Sequence, residues 1–260
     1  MKTLRDVRLF LLDMDGTFYL GDRLIDGSLD FIDRVRATGR DFLFLTNNSS
    51  HNAPFYVERL KRMGLNVERS KILTSGEAAC AKILEMYPGR RAFVLGNEFL
   101  KEEFREAGIQ LDFGNPEIVV IGFDTTLDYA KMRAVCDFVR AGLPYIATHP
   151  DFNCPTETGF MPDIGAIIAF IEASTGRRPD LIIGKPNFGI VEAALRRTGF
   201  STEEMAMVGD RLYTDIETGI RCGMTSILVM SGETTEEMLA ASATVPDFKF
   251  SRLADMIPLL

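Results

Sequence analysis

The chain has no tryptophan and only two histidines, His51 and His149, among its 260 residues. Two histidines cannot build a His-rich metal centre, so any metal would be held by oxygen ligands. The four cysteines, Cys80, Cys136, Cys154 and Cys222, are widely spaced and form no Cys-x-x-Cys pair. That spacing argues against a zinc site and against a small disulfide framework. No apolar run approaches the roughly 20 residues of a membrane helix; Ile164–Ile171 is short and contains Gly165. No basic block stands out, and 37 acidic against 29 basic residues give a net charge of −8. Binding along a nucleic acid backbone, which needs a basic stripe, is therefore disfavoured. The opening Met-Lys-Thr-Leu-Arg-Asp lacks the apolar stretch of a secretory signal, so the expected location is cytoplasmic.

What is present is the composition of a globular protein, 46% hydrophobic and 25% charged. Short apolar runs alternate with segments of helical period. The runs Leu9–Leu12, Phe42–Leu45, Ala92–Leu95, Ile118–Ile121, Tyr145–Ala147, Leu181–Ile183, Met205–Val208 and Ser226–Val229 read as strands. Leu29–Thr38, Phe55–Met63, Gly76–Met86, Glu98–Ala107, Leu127–Ala141, Ile164–Ser174, Gly189–Arg197 and Asp215–Cys222 read as helices. Continuous rather than alternating apolar strands fit a parallel sheet covered on both faces, hence a doubly wound α/β fold. In such sheets ligands bind beyond the carboxyl ends of the strands, which directs attention to the residues just after each run.

Four strand ends carry polar chemistry. The first reads LFLLDMDGT: Asp13 and Asp15 sit two apart and point to one side of an extended segment. Paired acids behind four apolar residues are costly unless a cation offsets them, although an Asp-Gly turn alone is common. The second reads LFLTNNSS, where Thr46 and Asn47 could cradle a phosphate; a helix cap before Pro54 is the alternative for Ser49, Ser50 and Asn52. In IGKPN, Lys185 either serves as a point charge for phosphate or is an exposed turn lysine. In MVGDRLYTD, Asp210 follows a strand directly, while Asp215 is either part of the site or an acid at a helix start. Asp13, Asp15 and Asp210 together form an oxygen-ligand set suited to Mg2+.

These four stations, in this order, resemble the haloacid dehalogenase (HAD) superfamily of phosphohydrolases. LTNNSS, IGKPN and GDRLYTDI are similar to its NagD-like, para-nitrophenylphosphatase-like branch. The resemblance implies a Rossmann-like core with an inserted α/β cap: residues 1–77 and 180–260 as a discontinuous catalytic domain, and 78–179 as a cap controlling substrate access. It implies Mg2+ held by Asp13, the backbone carbonyl of Asp15, and Asp210, with Asp215 in support. An ionised carboxylate needs no base, so Asp13 can attack phosphorus while Asp15 serves as acid and then base. Thr46, Asn47 and Lys185 would hold the phosphate. The cap segment 148–163 supplies His149, Asp151, Asn153, Glu157 and Asp163 as candidate specificity contacts, although a lone histidine is usually structural and Asp163 can start a helix. The expected activity is hydrolysis of a small phosphomonoester: a nucleoside monophosphate, a sugar phosphate, phosphoglycolate or a similar metabolite. A phosphomutase and a non-catalytic metabolite-binding regulator are the alternatives. No nucleic acid or membrane partner is expected, and a homo-oligomer is compatible with an apolar cap surface.

Overall fold

A computed structural model describes residues 2–156 and 159–260. The chain groups into two compact units: Met1–Thr46, Tyr56–Leu73 and Lys185–Leu260 form the first, Asn47–Phe55 and Thr74–Gly184 the second. Each is built on an α/β sheet, as the apolar runs imply.

In the first unit the sheet order is Phe248–Phe250, Thr225–Val229, Met205–Gly209, Leu9–Leu12, Asp41–Thr46, with Ile72–Thr74 at the far edge. The pairings from Phe248–Phe250 through Asp41–Thr46 are all parallel. The central strand Leu9–Leu12 is wholly buried, as a strand covered on both faces must be. Helix Ser28–Ala37 turns Ser28, Phe31, Ile32 and Val35 inward at helical spacing. Phe10 meets Phe31 edge-on at 5.5 Å between ring centres, joining strand to helix. The chain winds outward from Leu9–Leu12 in one direction, then returns to lay Met205–Gly209 on its other side. The strand order therefore reverses between Leu9–Leu12 and Met205–Gly209, the place where such sheets leave a crevice.

The second unit has a four-stranded parallel sheet in the order Leu181–Ile182, Tyr145–Ala147, Ile118–Ile121, Ala92–Leu95. Phe93, Leu95, Val119, Ile121, Tyr145 and Ala147 line one face of it. They pack with Val135, Cys136 and Val139 of helix Tyr129–Arg140 and with Ile164, Ile167 and Ile171 of helix Ile164–Thr175. Among the described residues no helix is long and apolar enough to cross a membrane.

Several elements differ from expectation. The edge strands Ile72–Thr74 and Phe248–Phe250 are three residues each, too short for an apolar run to mark them. Segment 148–163 contains an antiparallel pair, Asn153–Thr156 with Gly159–Pro162, whose prolines disguise it in the sequence. The expected helix Asp215–Cys222 is instead a wide π turn, Leu212–Ile216, leading into helix Glu217–Arg221. Asp215 is thus buried inside the turn rather than exposed at a helix start.

Candidate active site

The first unit gathers Asp13, Asp15, Thr46, Lys185, Asp210 and Asp215 around the carboxyl ends of its central strands. Pairing continues one residue past Leu12, where the Asp13 N–H donates to the Val208 carbonyl at 2.9 Å. The parallel register, Leu12 opposite Val208 and Phe44, carries Asp13, Asp210 and the buried Thr46 to the same end of three neighbouring strands. A metal-sized space is defined by Asp13, Asp210 and Asp215, whose carboxylate oxygens lie within 4.8 Å of one another.

Lys185 spans two of these acids: its ammonium lies 2.5 Å from Asp13 and 2.6 Å from Asp215. Burial by itself would lower the lysine pKa; the two carboxylates more than offset that and raise it, so the ammonium stays charged. Asp215 also accepts the Arg211 N–H at 3.1 Å. Its pKa is raised by burial despite the lysine beside it.

Asp210 is treated differently. It accepts the Glu233 N–H at 2.7 Å and the Thr17 hydroxyl at 3.3 Å. Burial first, then repulsion from Asp13 and Asp215, pushes its pKa far above the carboxylate range. A buried acid packed against two others marks a place where a cation relieves repulsion. The backbone closes tightly on this carboxylate, so that only glycine fits: a Cβ on Gly16 would lie 2.4 Å from an Asp210 oxygen, and on Gly232 2.0 Å. Gly209 is required by the same crowding, since its Cβ would meet the Asp215 carboxyl carbon at 2.1 Å. Hard oxygen donors in such a cluster fit a divalent ion such as Mg2+ or Ca2+.

Asp15 stands outside the triad. Its carboxyl reaches solvent, yet crowding by surrounding protein, followed by the Asp13 charge, raises its pKa against the pull of Arg59 and Arg211. A proton held more tightly than usual suits a group that must donate it.

Asn47 groups with the second unit. Its side-chain amide donates to both Asp151 carboxylate oxygens, at 3.2 and 3.1 Å, and its carbonyl accepts the Ser75 hydroxyl at 2.5 Å. His149 is fully buried, with Nδ1 3.6 Å from Asp151 and Nε2 3.6 Å from Asp163. Asp163 caps helix Ile164–Thr175 by accepting the Ile164 N–H at 2.6 Å. Asn153 is exposed on its strand; Glu157 lies outside the described residues.

Sequence reasoning missed Arg59, Arg211 and the run Ser231–Gly232–Glu233–Thr234. The last follows strand Thr225–Val229 and braces the site: Ser231 donates to the Gly16 carbonyl at 2.8 Å, and Thr234 to the Asp210 carbonyl at 2.5 Å. The strand-end rule, applied to that strand as well, would have found it. Nothing local marks Arg59, which arrives from a helix.

Two family models match the chain, one described as haloacid dehalogenase-like hydrolase over residues 10–110 and one as HAD-hydrolase-like over residues 182–256. The chain belongs to the HAD-like hydrolase family. Among its relatives is the acid sugar phosphatase of Staphylococcus aureus, 36% identical, with 98% of each chain covered. A solved structure of 4-nitrophenylphosphatase from Thermotoga maritima is 48% identical and superposes with a TM-score of 0.95, covering 97% of both chains. A structure described as a putative NagD protein is 45% identical with a TM-score of 0.93, covering 98% of this chain and 99% of that one. The HAD likeness thus extends through both units, in agreement with the motif order.

Proposed function

We propose that this HAD-like hydrolase is a phosphatase that cleaves a small phosphomonoester through an aspartyl phosphate on Asp13. The observation that carries this reading is the Asp13 carboxylate at a strand end, 2.5 Å from a buried, charged Lys185 and clustered with Asp210. An Asp13 oxygen forms a bond to phosphorus while the ester P–O bond breaks, and Asp15 gives its proton to the departing alkoxide. Water then attacks the acyl phosphate, Asp15 takes back a proton, and inorganic phosphate leaves with Asp13 regenerated. Lys185, the Thr46 hydroxyl and the backbone N–H of Asn47, one peptide bond beyond Thr46, stabilise the charge on the phosphoryl oxygens. The Asn47 side chain, engaged with Asp151, takes no part.

Asp13, Asp210 and the Asp15 carbonyl would hold Mg2+, with Asp215 fixing Lys185 from behind. The ion supplies charge neutralisation between anionic nucleophile and anionic substrate. Residues 78–179 act as the cap governing substrate access. Within it Asn153 and, on the sequence reading, Glu157 are the candidate contacts to the organic part of the substrate; His149, Asp151 and Asp163 are buried. The names of the relatives support a sugar phosphate or a comparable small metabolite as substrate.

The test is phosphate release from a panel of sugar, nucleoside and aryl phosphates, with and without Mg2+. Release that needs Mg2+ and disappears in Asp13→Asn is the expected result. Undiminished turnover by that variant overturns the nucleophile assignment.

A further inference from the structure

We propose that Arg59 is a positioning residue for Asp15, acting through the short hairpin that follows the catalytic loop. The inference rests on the reading of Asp15 as the acid of a phosphatase and goes beyond it. The hairpin pairs Tyr19–Leu20 with Arg23–Leu24, two residues a strand, too little to be stable unaided. Its first strand reaches back to the catalytic loop: Asp15 bridges to Tyr19, and the Gly16 N–H donates to the Tyr19 carbonyl at 2.7 Å.

Arg59 holds this hairpin at three points. Its guanidinium donates to the Gly21 carbonyl at 2.7 Å, lies over the Tyr19 ring at 4.6 Å, and reaches Asp22 at 3.5 Å. Asp22 is almost fully exposed, so that third contact adds little. The first two are directional and fall on buried or turn positions: Tyr19 is 2% exposed, and Gly21 has φ of 57°, in the left-handed region. Arg59 grasps the Gly21 carbonyl, while the Gly21 N–H, on the preceding peptide, favours the ionised Asp15 carboxylate. Two successive peptides, together with the Asp15–Tyr19 bridge, therefore connect the guanidinium to the acid. A general acid works only when its proton is aimed at the departing oxygen, and an error near 1 Å can cost about 100-fold.

The test uses the leaving group. p-Nitrophenolate departs as a stable anion with little help, whereas an alkoxide needs the proton from Asp15. We expect Arg59→Ala to reduce kcat on an alkyl phosphate such as a sugar phosphate by about 10- to 100-fold, with much less effect on p-nitrophenyl phosphate. In an Asp15→Asn background the same substitution should then cost almost nothing more. A cavity of about 390 Å³ lined by Asp22, Leu24, Arg59, Arg62 and Met63 already opens beside the side chain. Added guanidinium ion, at a concentration that leaves wild type unaffected, should therefore restore part of the alkyl phosphate turnover.

Arg59→Lys, which keeps the charge and the fold but not the planar fork, should show the same leaving-group bias in weaker form. Equal losses on both esters, full additivity with Asp15→Asn, or wild-type kinetics in the two Arg59 variants would each overturn the proposal. Should Arg59→Ala not fold, the lysine variant decides by the same comparison. Loss of turnover in Asp13→Asn reports separately on the phosphatase reading, so the two can fail independently.

Discussion

Lys185 and Asp215 meet at 2.6 Å with both side chains withdrawn from solvent, at 3% and 0% exposure. Asp215 holds the lysine from one side and leaves its ammonium to reach Asp13 on the other. An ion pair so deeply buried adds little net stability, but breaking it strands an unpaired charge. Lys185→Ala is expected to destabilise the fold by about 3–5 kcal/mol as well as impair turnover. Thermal unfolding of Lys185→Ala, and of Lys185→Met paired with Asp215→Leu, checks this. The double variant should recover much of the lost stability and none of the activity.

The proposed metal site has its own steric test. Gly232→Ala places a methyl group on the Asp210 carboxylate without altering any charge. Mg2+ affinity, measured by calorimetry, should fall about 10- to 100-fold, as it does when a ligand's support is disturbed. Unchanged affinity would remove Asp210 from the metal site.

The acid shifts fix the sign of a pH dependence. Asp210, Asp215 and Asp15 all have folded pKa values raised above those of the unfolded chain. Each therefore contributes stability that is present below the unfolded value, about 4, and is lost as pH rises through the folded one. Metal-free protein should lose stability on that account as pH climbs from about 4 toward neutrality and beyond. A bound cation relieves the same repulsion, so the rise in Tm on adding Mg2+ should be larger at pH 8 than at pH 5. Differential scanning calorimetry at the two pH values decides it, and an equal or reversed increment would refute it.

The proposed division of the 148–163 segment into buried frame and substrate contact can be tested. Asp163→Ala removes a helix cap and should cost about 1–2 kcal/mol while leaving KM unchanged per folded molecule. Asn153→Ala, on an exposed strand, should leave Tm unchanged and shift KM differently for different phosphate esters. Matched KM and unfolding measurements on the two variants test the division.

Much of this protein follows from local patterns. The buried parallel strands were legible because every residue of Leu9–Leu12 or Ile118–Ile121 is apolar. Asp13, Thr46 and Asp210 were legible because each lies just beyond such a run, where a doubly wound sheet places its ligands; Lys185 also follows an apolar run, but that strand, Leu181–Ile182, belongs to the second unit's sheet. The short edge strands and the paired strands around Asn153 were not, since two to four residues carry too little periodicity to compete with proline and glycine.

Side-chain commitments belong to the tertiary structure. The same GDRLYTD segment permits a helix-starting acid or a buried one; the close approach of Asp215 to Gly209 and Lys185 selects the second. Asn47 follows Thr46 in the chain, yet its amide turns to Asp151, a partner 104 positions away. Arg59 carries no motif at all, and it acquires a part in the site only because its helix brings it to Gly21 and Tyr19. Sequence by itself determines which strands are buried and which polar residues stand at their ends, because burial and chain direction are written in local order. Which of those residues share a proton, a charge or a cation depends on distances between segments remote in sequence, and only folding sets those.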